Sequence, residues 1–109
     1  MWNRRNFMNK QPKIDVPNEK IRDFCMKWKI LEFSLFGSVL RDDFRPNSDV
    51  DVLISFDEAA GWDLFDIVDM KEELKSIFHR EVDLVEQGAI RNPFRKQSIL
   101  STKEILYAA

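Results

Sequence analysis

Apolar residues fall along this chain in two rhythms. Ile30-Leu31-Glu32-Phe33-Ser34-Leu35-Phe36 and Val50 to Phe56 are nearly continuous apolar runs bounded by turn residues, the pattern of buried strands. Arg80 to Glu86 instead alternates strictly until Gly88 ends it. That gives a third strand with Glu81, Asp83 and Val85 on one face and Val82 and Leu84 on the other. Helical spacing fills the intervals. Pro17 opens a first helix, where its missing N–H costs nothing, and Ile21, Phe24, Cys25 and Trp28 recur three and four residues apart. Asp63 fits an N-cap with Asp66 three residues on, and Trp62 and Ile67 fit a hydrophobic staple. Leu64, Ile67, Val68, Leu74, Ile77 and Phe78 carry the helical period to about His79. Pro93 starts a last helix with Phe94 and Ile99 facing inward. Glu104-Ile105-Leu106-Tyr107 reads as a short edge strand, although a helix continued through 103–107 would use the same residues.

The order helix–strand–turn–strand–helix–strand–helix belongs to the α/β (α+β) class, a small twisted sheet with helices packed on it. Residues 1–13, with Arg4, Arg5, Lys10 and Lys13 and no hydrophobic period, read as a flexible basic tail, and residues 14–109 as one domain. A formal charge of −2 makes no electrostatic case for nonspecific nucleic-acid binding. Cys25 is the single cysteine and has no partner for an internal disulfide; on the apolar helix face it serves as a small hydrophobe. With no run of 18 apolar residues and no apolar leader core, the expectation is a soluble, cytoplasmic chain.

The chemistry lies where strands begin and end. Asp49 and Asp51 start the second strand, and strand residues two apart point the same way with Cα atoms about 7 Å apart. These two carboxylates therefore project together while Val50 and Val52 enter the core. Gly37-Ser38 leaves the end of the preceding strand. Gly37 lets the backbone approach a ligand with no Cβ in the way, and Ser38 offers a hydroxyl and an N–H at the start of a short helix or turn over Ser38 to Asp43. Carboxylates beside open N–H groups suit a divalent cation and a phosphate. Asp83, in mid-strand on what reads as a central strand, is a third carboxylate, too costly to bury without a partner or a metal. Turn chemistry alone explains Pro46, Asn47 and Ser48. It explains neither the shared face of Asp49 and Asp51 nor Asp83 on another strand. Arg41 and Arg45 are both available to neutralise phosphate, and either is equally readable as a surface arginine. Trp62 is open to base stacking, which the staple explains more cheaply, and His79 has no assigned role.

The run Gly-Ser-Val-Leu-Arg-Asp-Asp-Phe-Arg-Pro-Asn-Ser-Asp-Val-Asp, residues 37 to 51, resembles the signature of the DNA polymerase β-type nucleotidyltransferase superfamily: Gly-Ser, ten residues, Asp-x-Asp. Over roughly residues 14–107 the chain is similar to that superfamily's minimal nucleotidyltransferases, the antitoxin partners of HEPN-domain toxins. The resemblance implies a nucleotidyltransferase fold with a mixed sheet and the site at one sheet edge. It implies Asp49, Asp51 and Asp83 as catalytic and metal-binding residues, and Gly37, Ser38 and Arg41 on the phosphates. Three hard-oxygen ligands without a His or Cys cluster favour two Mg²⁺ ions. ATP as substrate follows from the resemblance, with AMP passing to a hydroxyl, a tyrosine, of a partner HEPN-type toxin.

Two other functions fit a domain of this size. A binding-only antitoxin would block its toxin by contact and leave the site vestigial, but an unused cluster of three carboxylates would repel itself without metal. Transfer to a small molecule or an RNA end normally needs recognition elements that this sequence does not show.

Overall fold

Two seven-residue apolar strands form the centre of the fold. β1 (Ile30–Phe36) and β2 (Val50–Phe56) pair antiparallel, with Phe33 opposite Ile54 and Phe36 opposite Asp51. A computed structural model of the chain describes residues 12–109, so residues 1–11 of the expected basic tail lie outside the described residues. Lys13, the last residue of that tail, donates its backbone N–H to Val39 O at 2.8 Å.

The remaining elements build outward from this pair. Helix α1 (Asn18–Lys27) precedes β1, and Ile21, Phe24 and Cys25 bury its apolar stripe. Cys25 has no exposure, and burial pushes its thiol up to about 12, which makes it a core hydrophobe rather than a nucleophile. Helix α2 (Leu64–Phe78) crosses from β2 to β3 (Val82–Glu86), which pairs parallel to β2. Its start is a full capping box, with Asp63 accepting from Asp66 N–H and Asp66 accepting from Asp63 N–H, both at 3.0 Å. Helix α3 (Pro93–Thr102), capped by Asn92, leads to β4 (Glu104–Ala108), antiparallel to β1. Residues 104–108 are thus strand, not continued helix. The sheet order β3–β2–β1–β4 is mixed, as expected, with β3 and β4 at the two edges.

One face of the sheet carries the main core. Val50, Val52, Ile54, Phe33, Leu35 and Val82 meet α1 and, from α2, Met70, Leu74 and Phe78. The opposite face is smaller: Phe36 and Leu53 pack with Ile90 and with Ile99 of α3. Trp62 is turned inward as the staple requires. Its indole N–H donates to Trp28 O at 2.7 Å and its ring meets Trp28 edge-on, so packing occupies the side chain that was also open to base stacking.

Three expectations are corrected. Asp83 is not on a central strand: β3 is an edge strand and Asp83 is exposed, so no burial cost compels a partner for it. Phe94 does not face inward but is 85% exposed in the first turn of α3, because Ile99 is the residue of that helix that meets the core. On α2 the buried stripe is Met70, Leu74 and Phe78, while Leu64 and Val68, read as continuing the period, join Phe65 at the surface. Among the described residues no helix is long and apolar enough to cross a membrane.

Candidate active site

Strand pairing brings two of the three carboxylates side by side. In the parallel β2–β3 ladder Asp51 lies directly beside Asp83, while Asp49, expected to start the strand, sits one residue ahead of its first residue, Val50. Asp49 and Asp83 are exposed while Asp51 is half-buried. Burial first, then the charges of Asp83 and Asp49, raise the Asp51 carboxyl above its ordinary range, and Arg41 and Arg95 pull it partly back. The charges of Asp83 and Asp49 thus bear on Asp51.

Gly37 is the floor of that site. Its φ of +74° lies in the left-handed region, and an added Cβ would stand 2.2 Å from Asp51 Oδ2. Phe36 pairs with Asp51 across β1 and β2, so the chain leaving β1 runs straight under the carboxylate. Gly37 to Leu40 then makes one 3₁₀ turn, with Arg41 N–H donating to Ser38 O at 2.9 Å. Four residues are too few for a macrodipole. The turn instead leaves its first N–H groups without intrahelical partners, and Ser38 stands at its start.

The two candidate arginines separate. Arg41 bears on Asp51 electrostatically, although its Nε also meets Asp43 Oδ1 at 3.1 Å. Arg45 is absent from the charges that shift Asp51, and its backbone closes the turn ahead of Asp49: Ser48 N–H donates to Arg45 O and Arg45 N–H to Ser48 Oγ, each at 3.0 Å. Arg95 was missed from the sequence. It lies one helical turn before Ile99 on α3, and Ile99 packs on Phe36 and Leu53, so α3 lies over the sheet face that carries Asp51. The only hint in the sequence is the four-residue spacing to Ile99. A roomy cavity of about 810 Å³ between residues 12–17 and the end of α2 contains none of these residues. Asp83 stands instead on the exposed edge strand, with half-buried Asp51 beside it on β2.

Among the described residues no three His, Cys, Asp or Glu side chains are gathered tightly enough to hold a metal ion by themselves. The donor set still fits a hard divalent cation. All the candidates are carboxylate oxygens, and their repulsion at Asp51 is what a cation would relieve. Oxygens from a bound triphosphate would have to complete the coordination.

Comparison with known proteins places this geometry in a family. The model of the nucleotidyltransferase domain matches residues 18–106. MJ0435 of Methanocaldococcus jannaschii, a candidate protein adenylyltransferase, is 35% identical over 81% of this chain and 91% of its own length. A crystal structure of a toxin–antitoxin with AMP-PNP has the same fold, with a TM-score of 0.69 at 22% identity over 86% of this chain and 75% of that one. The structure of a tri-AMPylated Shewanella oneidensis HEPN toxin in complex with an MNT antitoxin also shares it, with a TM-score of 0.61 at 21% identity over 84% of this chain and 70% of that one. The match over residues 18–106 takes in the Gly-Ser turn, Asp-x-Asp and the facing Asp83, and the chain belongs to the nucleotidyltransferase domain family.

Proposed function

We propose that this domain transfers AMP from ATP to a hydroxyl, a tyrosine, of a partner HEPN-type toxin in the cytoplasm and so acts as its antitoxin. The observation that carries the reading is the pairing of Asp51 with exposed Asp83 across two strands, with Gly37 packed against Asp51 and the charge of Asp49 bearing on it. Support comes from the relative described as a candidate protein adenylyltransferase, and from the AMPylated toxin held by an antitoxin of this fold.

The residues divide the work. The Gly37-Ser38 turn receives β- and γ-phosphate oxygens on backbone N–H groups and the serine hydroxyl. Arg41 and Arg95 offset the charge that a triphosphate brings to Asp51. Asp49, Asp51 and Asp83 would hold Mg²⁺, which would supply neutralisation of the triphosphate and a lowered pKa for the attacking hydroxyl. The acceptor oxygen bonds to the α-phosphorus, the bond from that phosphorus to the β-phosphate oxygen breaks, and pyrophosphate leaves. Asp83 takes up the hydroxyl proton. Its place on an edge strand suits this duty, because a protein acceptor reaches it from outside the sheet.

Neutralisation of the toxin with and without ATP tests the reading. Wild-type protein should silence the toxin only when Mg-ATP is present, and Asp51→Asn should fail with or without it. Equal neutralisation by Asp51→Asn would favour a binding-only antitoxin.

A further inference from the structure

Arg80, which belongs to no candidate site residue set, holds the loop that delivers Asp49. Its Nη1 donates to Ser48 O at 2.9 Å and to Arg45 O at 3.2 Å, the two ends of the Pro46-Asn47 turn. Its guanidinium carbon lies 4.6 Å from the centroid of the Phe44 ring, a cation–π contact within the usual range. One residue later, Glu81 O accepts the N–H of Val50 at 2.9 Å. The peptide groups on either side of Asp49 are thus tied to consecutive residues, 80 and 81. Those residues lead into β3, where Asp83 stands beside Asp51. A planar guanidinium suits this post, since it can serve both carbonyls from one nitrogen and stack on a ring at the same time. A lysine ammonium has no flat face to stack.

We propose that Arg80 is a positioning residue that sets Asp49 against Asp51 and Asp83, and so fixes the affinity of the carboxylates for a divalent cation. The inference rests on the metal-dependent reading of the site but not on any acceptor. Groups that orient metal ligands from behind are worth about 10–100-fold in metal affinity. Loosening the Arg45–Ser48 turn leaves the Asp49 side chain in place chemically but spreads its positions, so the loss should fall on metal binding rather than on folding.

The test is titration of the full chain with Mn²⁺ in the presence of AMP-PNP, read by electron paramagnetic resonance beside thermal unfolding. Arg80→Gln should weaken Mn²⁺ binding by about tenfold or more, and Arg80→Lys should recover part of the loss, as expected of a group ordering metal ligands. Trp62→Phe is the control, since it removes the hydrogen bond to Trp28 O far from the carboxylates. It should lower the melting temperature at least as much while leaving Mn²⁺ affinity unchanged. If Arg80→Gln binds Mn²⁺ like the wild type, or only as much more weakly as Trp62→Phe does, the arginine is a strut and the inference is overturned. Because no toxin takes part, a normal Arg80 effect in a protein that never labels a partner would uphold this inference while the proposed function failed.

Discussion

Gly37 and Asp51 are in contact in a way that admits no side chain between them: a Cβ at position 37 would come within 2.2 Å of Asp51 Oδ2. The glycine therefore does two things, adopting φ +74° and leaving room for a carboxylate that the rest of the site depends on. The expectation that Gly37 clears space for phosphate is compatible with this, but the nearer neighbour is the catalytic candidate itself. Gly37→Ala should cost about 1–2 kcal/mol for the left-handed backbone alone, plus the displacement of Asp51. Asp51→Ala should relieve the second part. A double-mutant cycle by chemical denaturation should show Gly37→Ala costing less in the Asp51→Ala background, and strictly additive effects would place the two residues apart.

Asp51 also predicts a pH signature. Its carboxyl is raised from an ordinary 3.8, chiefly by burial and then by Asp83 and Asp49. Between the ordinary and the raised value the folded state holds the proton more tightly than the unfolded state, so this group's contribution to stability falls as pH rises through that window. Above the window the cost is fully present, and below it the cost is absent. Asp51→Asn removes the cost, so its advantage over the wild type should grow with pH across the acid range and then level off. At neutral pH the melting temperature should be higher than that of the wild type, while AMP transfer falls at least about 100-fold. A stability difference that shrinks with rising pH would contradict the assignment.

How much of this could be read from the sequence follows from what is local. The strands and the Asp63–Asp66 capping box depend on neighbouring residues, and both stand in the structure as read, although the second strand begins at Val50 and leaves Asp49 just ahead of it. The place of β3 at the edge depends on which strand the α2 crossover returns to, and alternation carries no strand order that could tell a central Asp83 from one at the edge. Leu64, Val68 and Phe94 were misassigned because apolar residues lie on more than one side of their helices, so spacing alone cannot choose the buried stripe. The bearing of Arg95 on Asp51 needs α3 to be laid across the sheet face first.

Arg41 and Arg95 make a paired prediction. Both oppose the charges that gather at Asp51, and a triphosphate would add several more negative charges there. Arg41→Gln and Arg95→Gln should each raise the KM for ATP about tenfold, the worth of one charge-assisted hydrogen bond, with little change in melting temperature. Steady-state transfer assays would check this. An unchanged KM in Arg95→Gln would remove that residue from the nucleotide site.

His79 makes a prediction that owes nothing to catalysis. It ends α2 in the left-handed region at φ 57°, is exposed, and donates its N–H to Lys75 O at 2.8 Å. Glycine at such a position avoids the steric cost of a Cβ. His79→Gly should raise stability by about 0.5–1 kcal/mol with activity unchanged. Urea denaturation would measure it, and a loss of stability would mean the imidazole makes contacts that the backbone geometry does not reveal.

The central claim is that Asp49, Asp51 and Asp83 move AMP onto a tyrosine of a partner toxin. Intact-mass spectrometry of that toxin, after incubation with the protein and Mg-ATP, tests it most directly. The toxin should gain the mass of one or more AMP groups, fragmentation should place them on tyrosine, and Asp49→Asn should abolish the gain. A toxin that is silenced while its mass stays unchanged would contradict the account.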